Sequence, residues 1–390
     1  MYPRSKNIRT NKRIATRILT LNQMKRPYPL LWNTPAHFLL LPNYNLAKIS
    51  IFLSSTRYYS VLIGCLTFAP QSPHIMTQDT ILVVGAGGQI GAVLTETLRE
   101  AYGSNNVIAT DLRPLENQSG PSEVLDALDG EALAGLVKKH KATQIYHLAA
   151  ILSATGEKNP MWAWDVNMRS LFNVLEVSRD NQLSKVYFPS SIAVFGLEAA
   201  PAMTPQYTVL IPETVYGISK VAGENWANYY FRRYGLDVRS LRYPGIIGYQ
   251  SMPGGGTTDY AVDIYHYAVQ GKAYECFLRA DTPLPMLYMP DAIRATLKLM
   301  EAPANTLSVR TSYNLAGMTF NPGEITASIQ KELPDFKVSY KPDFRQAIAD
   351  SWPASIDDSA ARRDWGWKPE FDLDGMTRDM LFHLGEQYQK

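Results

Sequence analysis

The first 78 residues of this 390-residue chain contain no aspartate or glutamate, although they contain ten lysines and arginines. The segment is also rich in Ser, Thr, Asn and Leu, as transit peptides are. Two hypotheses fit it: residues 1–78 are a mitochondrial presequence, or they are an upstream extension ahead of a start at Met76. We favour the second, which predicts a cytoplasmic protein; the first would place it in the mitochondrial matrix. Under either hypothesis residues 1–78 lie outside the predicted fold.

Cysteine, close pairs of histidines and long apolar runs are also scarce. Cys65 and Cys276 cannot form a disulfide framework or a zinc site alone, so we expect a reducing compartment and no metal. The most apolar early run, residues 49–69, is interrupted by Arg57 and polar residues and is a poor membrane span. From residue 79 onward 28 basic and 36 acidic side chains give a net charge of −8, which argues against nucleic-acid binding.

From Thr80 to Gly248 apolar strands alternate with amphipathic helices. Strands are predicted at 80–86, 106–111, 143–150, 185–191 and 237–248, and helices at 88–103, 130–141, 160–181 and 213–235. This pattern predicts an α/β protein with a Rossmann-type doubly wound parallel sheet. After Gly248 a Gly-rich loop and shorter elements follow. We therefore expect a first domain at 79–250 and a smaller, interwoven region at 251–390, with segments 284–300 and 312–317 returning to the sheet.

The stretch "ILVVGAGGQIGAVL" places three glycines between a strand and a helix. Gly85 lets the chain turn, Gly88 lets backbone N–H groups approach a diphosphate, and Gly91 lets helix and strand pack closely. Asp111 ends the next strand, 20 residues after Gly91, where a carboxylate can accept hydrogen bonds from ribose hydroxyls. The motif predicts dinucleotide binding, and the charge of Asp111 favours NAD over NADP.

The stretch "VYGISK" places Tyr216 and Lys220 one helical turn apart on a predicted helix. A phenol is a poor base at neutral pH, so we expect the Lys220 ammonium and a positive nicotinamide to lower the pKa of Tyr216. Ser190 and Ser191 end a predicted strand, where their hydroxyls could hold a substrate oxygen beside Tyr216. The set predicts oxidation of an alcohol with Tyr216 as the general base.

Together the GxxGxxG spacing, the acid, "HLAA", the Ser-rich strand end and YxxxK resemble the extended short-chain dehydrogenase/reductase superfamily over residues 79–390. The resemblance implies that Ser191, Tyr216 and Lys220 are the catalytic residues. It implies that the NAD contacts are Gly85, Gly88, Gln89, Ile90, Gly91, Asp111, Leu112, Asp126, Ala127, Leu148, Ala149, Ala150, Tyr216, Lys220, Tyr243 and Ile246.

Residues 242–278 and 284–296 more specifically resemble the short-chain-type L-threonine 3-dehydrogenases. That resemblance implies NAD-dependent oxidation of the threonine β-hydroxyl to 2-amino-3-ketobutyrate, and a homodimer or higher homo-oligomer formed through the long helices. It also implies a substrate site. The substrate contacts would be Ser153, Ser191, Tyr216, Thr257, Leu284 and Trp352.

Three alternatives stay open at this point. A nucleotide-sugar epimerase or dehydratase that keeps NAD bound would need arginines for a sugar diphosphate, and Arg279 and Arg294 are available. A non-catalytic NAD-sensing module would not need the Ser–Tyr–Lys set. Thr257 could be merely the N-cap of a helix rather than a substrate contact. The lack of a Cys/His ligand set argues against a zinc-dependent route to the same reaction.

Overall fold

The computed structural model describes residues 79–252, 254 and 256–389, so the predictions made for residues 1–78 lie outside the described residues. The strands are β1 Ile81–Val84, β2 Val107–Asp111, β3 Ser122–Val124, β4 Gln144–His147, β5 Lys185–Tyr187, β6 Ser190–Ser191, β7 Val238–Arg239, β8 Leu241–Tyr243, β9 Gly245–Ile247, β10 Tyr274–Cys276, β11 Leu284–Tyr288, β12 Tyr313–Asn314, β13 Met318–Phe320 and β14 Val338–Tyr340. The α-helices are α1 Gln89–Tyr102, α2 Gly130–His140, α3 Ser153–Gly156, α4 Pro160–Asp180, α5 Val215–Tyr234, α6 Tyr260–Val269, α7 Met289–Glu301, α8 Pro322–Glu332, α9 Arg345–Asp350, α10 Ser359–Trp365 and α11 Leu373–Gln389. No helix among the described residues is both long and apolar enough to cross a membrane.

The main sheet has six parallel strands in the order β3-β2-β1-β4-β5-β7. The chain runs outward from β1 in one direction and then returns to continue from β4 in the other. The strand order therefore reverses between β1 and β4, and ligands bind at such a switch point in doubly wound sheets. The predicted α/β class and Rossmann-type sheet are confirmed.

Both faces of this sheet are covered by helices. Alternate residues of β1 enter different cores, because successive side chains of a strand point to opposite faces. Ile81 and Val83 pack with residues of α1 and α7, whereas Leu82 and Val84 pack with residues of α2, α4 and α5. Strands buried on both sides explain why the sequence from Ile81 to Val84 is apolar throughout.

Two of the predicted strands are interrupted. The stretch predicted as one strand at 185–191 forms β5 in the main sheet and β6 in a three-stranded sheet of order β12-β8-β6. The stretch at 237–248 forms β7, β8 and β9 in three different sheets. Pro189 and Pro244 lie at two of these breaks, and proline lacks the N–H that a continuous ladder needs.

The chain after residue 250 pairs with strands that precede it. β11 runs parallel to β9, and β12 runs parallel to β8. The helices α6, α8 and α11 pack around a second core with β10 and β11. These pairings bring the last third of the chain over the carboxyl edge of the main sheet, beside the switch point.

Candidate active site

A cleft opens at the carboxyl ends of β1 and β4, at the switch point of the main sheet. Its walls come from the glycine turn, the loop after β4, β6, the first two turns of α5, β9 and the loop before α6. The lining residues are Gly85, Gly88, Gln89, Ile90, Gly91, Leu148, Ala150, Leu152, Ser153, Pro189, Ser190, Ser191, Ile192, Tyr216, Lys220, Tyr243, Pro244, Gly245, Ile246, Gly256, Thr257, Thr258, Asp259 and Trp352.

The glycine turn fits a dinucleotide. Gly85 has φ +89°, and a Cβ there would lie 2.6 Å from the Ala149 backbone nitrogen; a Cβ at Gly91 would lie 2.2 Å from the Gly85 carbonyl oxygen. A Cβ at Gly88 would instead meet nothing nearer than 3.5 Å, so its absence leaves room for a ligand. Gly88 precedes α1 without a side-chain cap, which leaves N–H groups available for an anion.

Asp111 lies at the end of β2, next to the same turn. Its carboxylate accepts a hydrogen bond from the Gly87 backbone N–H at 2.9 Å, which directs it toward the mouth of the turn. A Cβ at Gly87 would lie 3.0 Å from that carboxylate. The neighbouring Leu112 is exposed, as is Asp126, whose carboxylate accepts from the Leu128 N–H at 2.9 Å.

Five of the predicted cofactor residues therefore do not line the cleft itself: Asp111, Leu112, Asp126, Ala127 and Ala149. Asp111 ends β2 and Leu112 follows it, while Asp126 and Ala127 lie shortly after β3. Ala149 donates its N–H to the Val84 carbonyl at 3.0 Å, and its backbone packs against Gly85 of the glycine turn. Tyr243 does line the cleft, although its phenol is hydrogen-bonded to the buried Thr296.

The three predicted catalytic residues converge in the cleft. Ser191 ends β6 and hydrogen-bonds the phenol of Tyr216, which lies in the first turn of α5. The Lys220 ammonium lies 5.4 Å from the centre of the Tyr216 ring and donates to the Pro189 carbonyl at 2.6 Å. α5 brings Tyr216 and Lys220 to one face because they are four residues apart.

The electrostatics of this set differ from the expectation. Burial raises the pKa of Tyr216 to about 12, and the hydrogen bond with Ser191 acts in the opposite direction. Burial also lowers the pKa of Lys220 to about 7, while the charge of Glu224 raises it. Desolvation is the largest effect at both groups among the chain's own residues, so the predicted fall in the Tyr216 pKa would require the charge of the nicotinamide that the prediction also includes.

The predicted substrate residues divide into two groups. Ser153, Thr257 and Trp352 line the cleft with Ser191 and Tyr216. Thr257 is 1% exposed, and its hydroxyl has no partner among the described residues. Leu284 is instead fully buried in β11, where it pairs with Phe320 in the second core. Its position gives no support for a substrate contact.

The N-cap alternative for Thr257 is wrong. Asp259 is the residue that precedes α6, and its carboxylate accepts from the Gly256 N–H at 2.7 Å. Asp259 also lines the cleft, as its one carboxylate among the described residues. Asp259 is not among the site residues predicted from the sequence, although its place two positions after Thr257 in "GGGTTDY" was a signal for it.

The arginines considered for a sugar diphosphate are engaged elsewhere. Arg279 pairs with Asp350 at 2.8 Å, and Arg294 pairs with Asp291 and lies over the Trp367 ring. Neither lines the cleft, where Lys220 is the single cation among the described residues. Within the described part of the chain, no three His, Cys, Asp or Glu side chains group as a metal site would require.

Residues 81–316 match the family model described as the NAD dependent epimerase/dehydratase family. An uncharacterised epimerase/dehydratase of Staphylococcus haemolyticus is 49% identical over 80% of this chain and 99% of its own length. Among solved structures, a partial consensus L-threonine 3-dehydrogenase is 57% identical with a TM-score of 0.78, over 79% of this chain and 99% of that one. The holo form of a GalE-like L-threonine dehydrogenase from Cupriavidus necator is 56% identical with a TM-score of 0.77, over 78% and 99%.

Proposed function

The chain belongs to the NAD-dependent epimerase/dehydratase family, and from that premise we propose that it oxidises L-threonine at the β-carbon to 2-amino-3-ketobutyrate. NAD is the cofactor of this family. The observation that carries the proposal is the convergence of Ser191, Tyr216 and Lys220 in a cleft that also contains the unpartnered hydroxyl of Thr257. The similar solved structures described as L-threonine dehydrogenases support the same substrate.

The chain's own residues would handle the proton of the substrate hydroxyl. Ser191 would hold the oxygen of the substrate hydroxyl beside Tyr216. The Tyr216 phenolate would then remove the proton of that hydroxyl as the substrate becomes a ketone. NAD, when bound, accepts the hydride that leaves the same carbon. Lys220 would favour the phenolate by its charge and would also bind the cofactor's ribose. Burial outweighs the hydrogen bond with Ser191 and raises the pKa of Tyr216 to about 12, so the positive charge of bound NAD would have to supply the opposing effect.

The same cleft offers groups for the charged ends of an amino acid. Thr257 and Ser153 are buried hydroxyls that can donate to the substrate carboxylate, and the N-terminal side of α6 favours negative charge there. Asp259 lies on the same wall and could face the ammonium group. Trp352 would cover the methyl side. A small zwitterion fits this arrangement better than a sugar diphosphate does, because no arginine lines the cleft among the residues that the structure describes.

The reaction can be tested by NADH absorbance with L-threonine, L-serine, D-threonine, L-allo-threonine and UDP-sugars as substrates. We expect NADH from L-threonine, with loss of the signal when NADP replaces NAD. Turnover of a UDP-sugar without net NAD reduction, together with no NADH from threonine, would favour the epimerase reaction instead.

We also propose that the protein forms a homodimer through α4 and α5. Large apolar side chains on these helices are exposed: Met161, Trp162, Ile218, Trp226, Tyr229 and Tyr234. The rings of Trp226, Tyr229 and Tyr234 are in contact with one another, and an exposed apolar cluster of this kind is typical of an interaction surface. Light scattering of the purified protein and of Trp226→Lys would test this, and an unchanged monomeric mass for both would contradict it.

The division into an NAD-binding part at 79–250 and a substrate-binding part at 251–390 is proposed because the predicted NAD contacts all lie between residues 85 and 246, whereas Thr257, Asp259 and Trp352 of the cleft follow residue 250. A cytoplasmic location is proposed, with the mitochondrial matrix as the alternative if residues 1–78 act as a presequence. Imaging of the chain fused to a fluorescent protein, with and without residues 1–75, would distinguish the two locations.

A further inference from the structure

A buried polar cluster lies directly behind the cleft. Glu224 follows Lys220 by one turn of α5 and is 1% exposed. Its carboxylate accepts from the Ser190 hydroxyl at 2.6 Å and from the Arg242 guanidinium at 2.9 and 2.7 Å. Ser190 and Arg242 lie opposite each other where β6 pairs with β8. Removing two charges from water is costly, so a buried pair is weak evidence of stability and needs another explanation.

Ser190 connects this cluster to the catalytic residues. It lies between Pro189, whose carbonyl accepts from Lys220 at 2.6 Å, and Ser191, whose hydroxyl bonds the Tyr216 phenol. The hydrogen bond from Ser190 to Glu224 therefore lies between the two residues that contact Lys220 and Tyr216. β6 is just two residues long, so its paired backbone alone restrains it weakly.

Arg242 anchors the cluster on its far side. Its guanidinium also donates to the Gln206 carbonyl at 3.0 Å and to the Asn314 side chain at 3.0 Å. The next residue, Tyr243, lines the cleft. Glu224 is thus held in place by a strand that itself borders the site.

We propose that Glu224 is a positioning residue for the reaction: through Ser190 it holds Pro189 and Ser191 where Lys220 and Tyr216 need them. This inference rests on the proposed function. It extends the catalytic set by one buried carboxylate that touches neither substrate nor cofactor. Its action is indirect, through the geometry of β6 and the charge beside Lys220.

The groups around Lys220 give Glu224 a second effect. Tyr216 and Glu224 face Lys220 from its own helix, His147 lies behind it on β4, and Arg242 lies beyond Glu224. Burial and the charge of Lys220 lower the pKa of His147 to about 3, so this imidazole is neutral at physiological pH. The Glu224 charge opposes the loss of the Lys220 proton that burial favours.

Three variants test the proposal: Ser190→Ala, Glu224→Gln and the control Ser240→Ala. Ser240 is as buried as Ser190 and donates one comparable hydrogen bond, to Ser312 at 2.9 Å, but it lies outside the cleft. The measurements are kcat and KM for threonine from pH 6 to 10, the Kd of NADH by fluorescence over the same range, and the thermal midpoint.

We expect Ser190→Ala to lower kcat roughly 10-fold, because small misplacement of reacting groups is costly, with KM and the NADH Kd changed less than about 3-fold. Ser240→Ala should keep kcat within about 2-fold at a similar loss of thermal midpoint, since each loses one buried hydrogen bond. In Glu224→Gln, Lys220 should lose its proton at lower pH than in the wild type. Without that charge the Tyr216 phenolate is less favoured, so the rise of kcat should move to higher pH. NADH affinity should also start to fall at lower pH, because Lys220 binds the cofactor's ribose.

Equal kcat values for Ser190→Ala and Ser240→Ala would overturn the proposal, as would a loss in Glu224→Gln that is uniform with pH. If Glu224→Gln does not fold, the comparison of the two serine variants decides. A wild type that binds NADH but forms none from threonine would overturn the proposed function instead. The pH dependence of NADH binding in Glu224→Gln would then still test the effect of Glu224 on Lys220.

Discussion

Tyr216 combines two requirements that oppose each other. It has to lie in a cleft withdrawn from water, and burial there raises the pKa of its phenol to about 12. It also has to lose a proton near neutral pH to act as a base. Below the pKa of a phenol the phenolate fraction rises about tenfold per pH unit, so we expect kcat to increase with pH from neutrality upward.

Tyr216→Phe tests this role because it keeps the ring and removes the proton acceptor. We expect kcat to fall roughly 100-fold or more, on the usual scale for loss of a general base, and the rise of kcat with pH to disappear. NAD affinity should change little, since Lys220 and the glycine turn remain. Steady-state rates and NADH titration measure both quantities, and near-normal turnover of threonine by this variant would remove Tyr216 from the mechanism.

The second prediction for a single residue concerns Asp111 and the preference for NAD over NADP. Its carboxylate is oriented by the Gly87 N–H at 2.9 Å, so it can accept from ribose hydroxyls and repel a 2′-phosphate. Asp111→Ala should weaken NAD binding and bring the Kd values for NAD and NADP closer together. Fluorescence titration with both reduced cofactors measures this. A wild type that binds NADP as tightly as NAD would contradict the specificity we infer.

At the level of elements, α5 carries both Tyr216 and Lys220, and two side chains accept hydrogen bonds from the backbone N–H groups of its first turn. The Thr214 hydroxyl accepts from the Gly217 N–H at 3.1 Å, and the Glu157 carboxylate accepts from the Val215 N–H at 2.8 Å. Glu157 directly follows α3, which contributes Ser153 to the cleft. The hydrogen bond between Val215 and Glu157 therefore links the start of α5 to the segment that contributes Ser153 to the cleft.

Thr214→Ala should cost about 1 kcal/mol of unfolding free energy, the usual effect of losing an N-cap. It should also lower kcat several-fold, because the loosened turn contains Tyr216. Asn321→Ala is the matched control: Asn321 caps α8 by accepting from the Glu324 N–H at 2.8 Å, away from the cleft. Denaturant unfolding and kcat should show similar stability losses for both variants but an activity loss for Thr214→Ala alone. Equal kcat values would argue against this role of the cap.

The features of the fold and the site that the sequence could predict are those that depend on local patterns of residues. The glycine turn and the Tyr216–Lys220 pair depend on spacings within one strand–turn–helix unit or one helix turn, so their convergence was predictable. The breaks at Pro189 and Pro244 were not recognised, because apolar residues continue on both sides of each proline. The burial of Leu284, the cleft position of Asp259 and the pKa direction of Tyr216 all depend on which distant segments pack together, and no local pattern encodes that.

At the scale of the whole molecule, the described residues that form the two faces of the main sheet and the core around β11 begin at Ile81. The family match also begins at residue 81. The similar proteins are covered over 99% of their own lengths, while they cover about four fifths of this chain. The family match and the similar proteins therefore cover the elements that form the sheet, the cleft and the buried cluster around Glu224.

A chain that begins at Met76 should therefore fold, bind NADH and turn over threonine as the full chain does. The reason is that every residue proposed for the cleft follows Met76, and that the family match begins at Ile81. Thermal unfolding, NADH titration and kcat of the two chains make the comparison, with a deletion to residue 84, which removes β1, as the control expected to prevent folding. Loss of soluble, NADH-binding protein on truncation at Met76 would show instead that residues 1–75 are part of the fold.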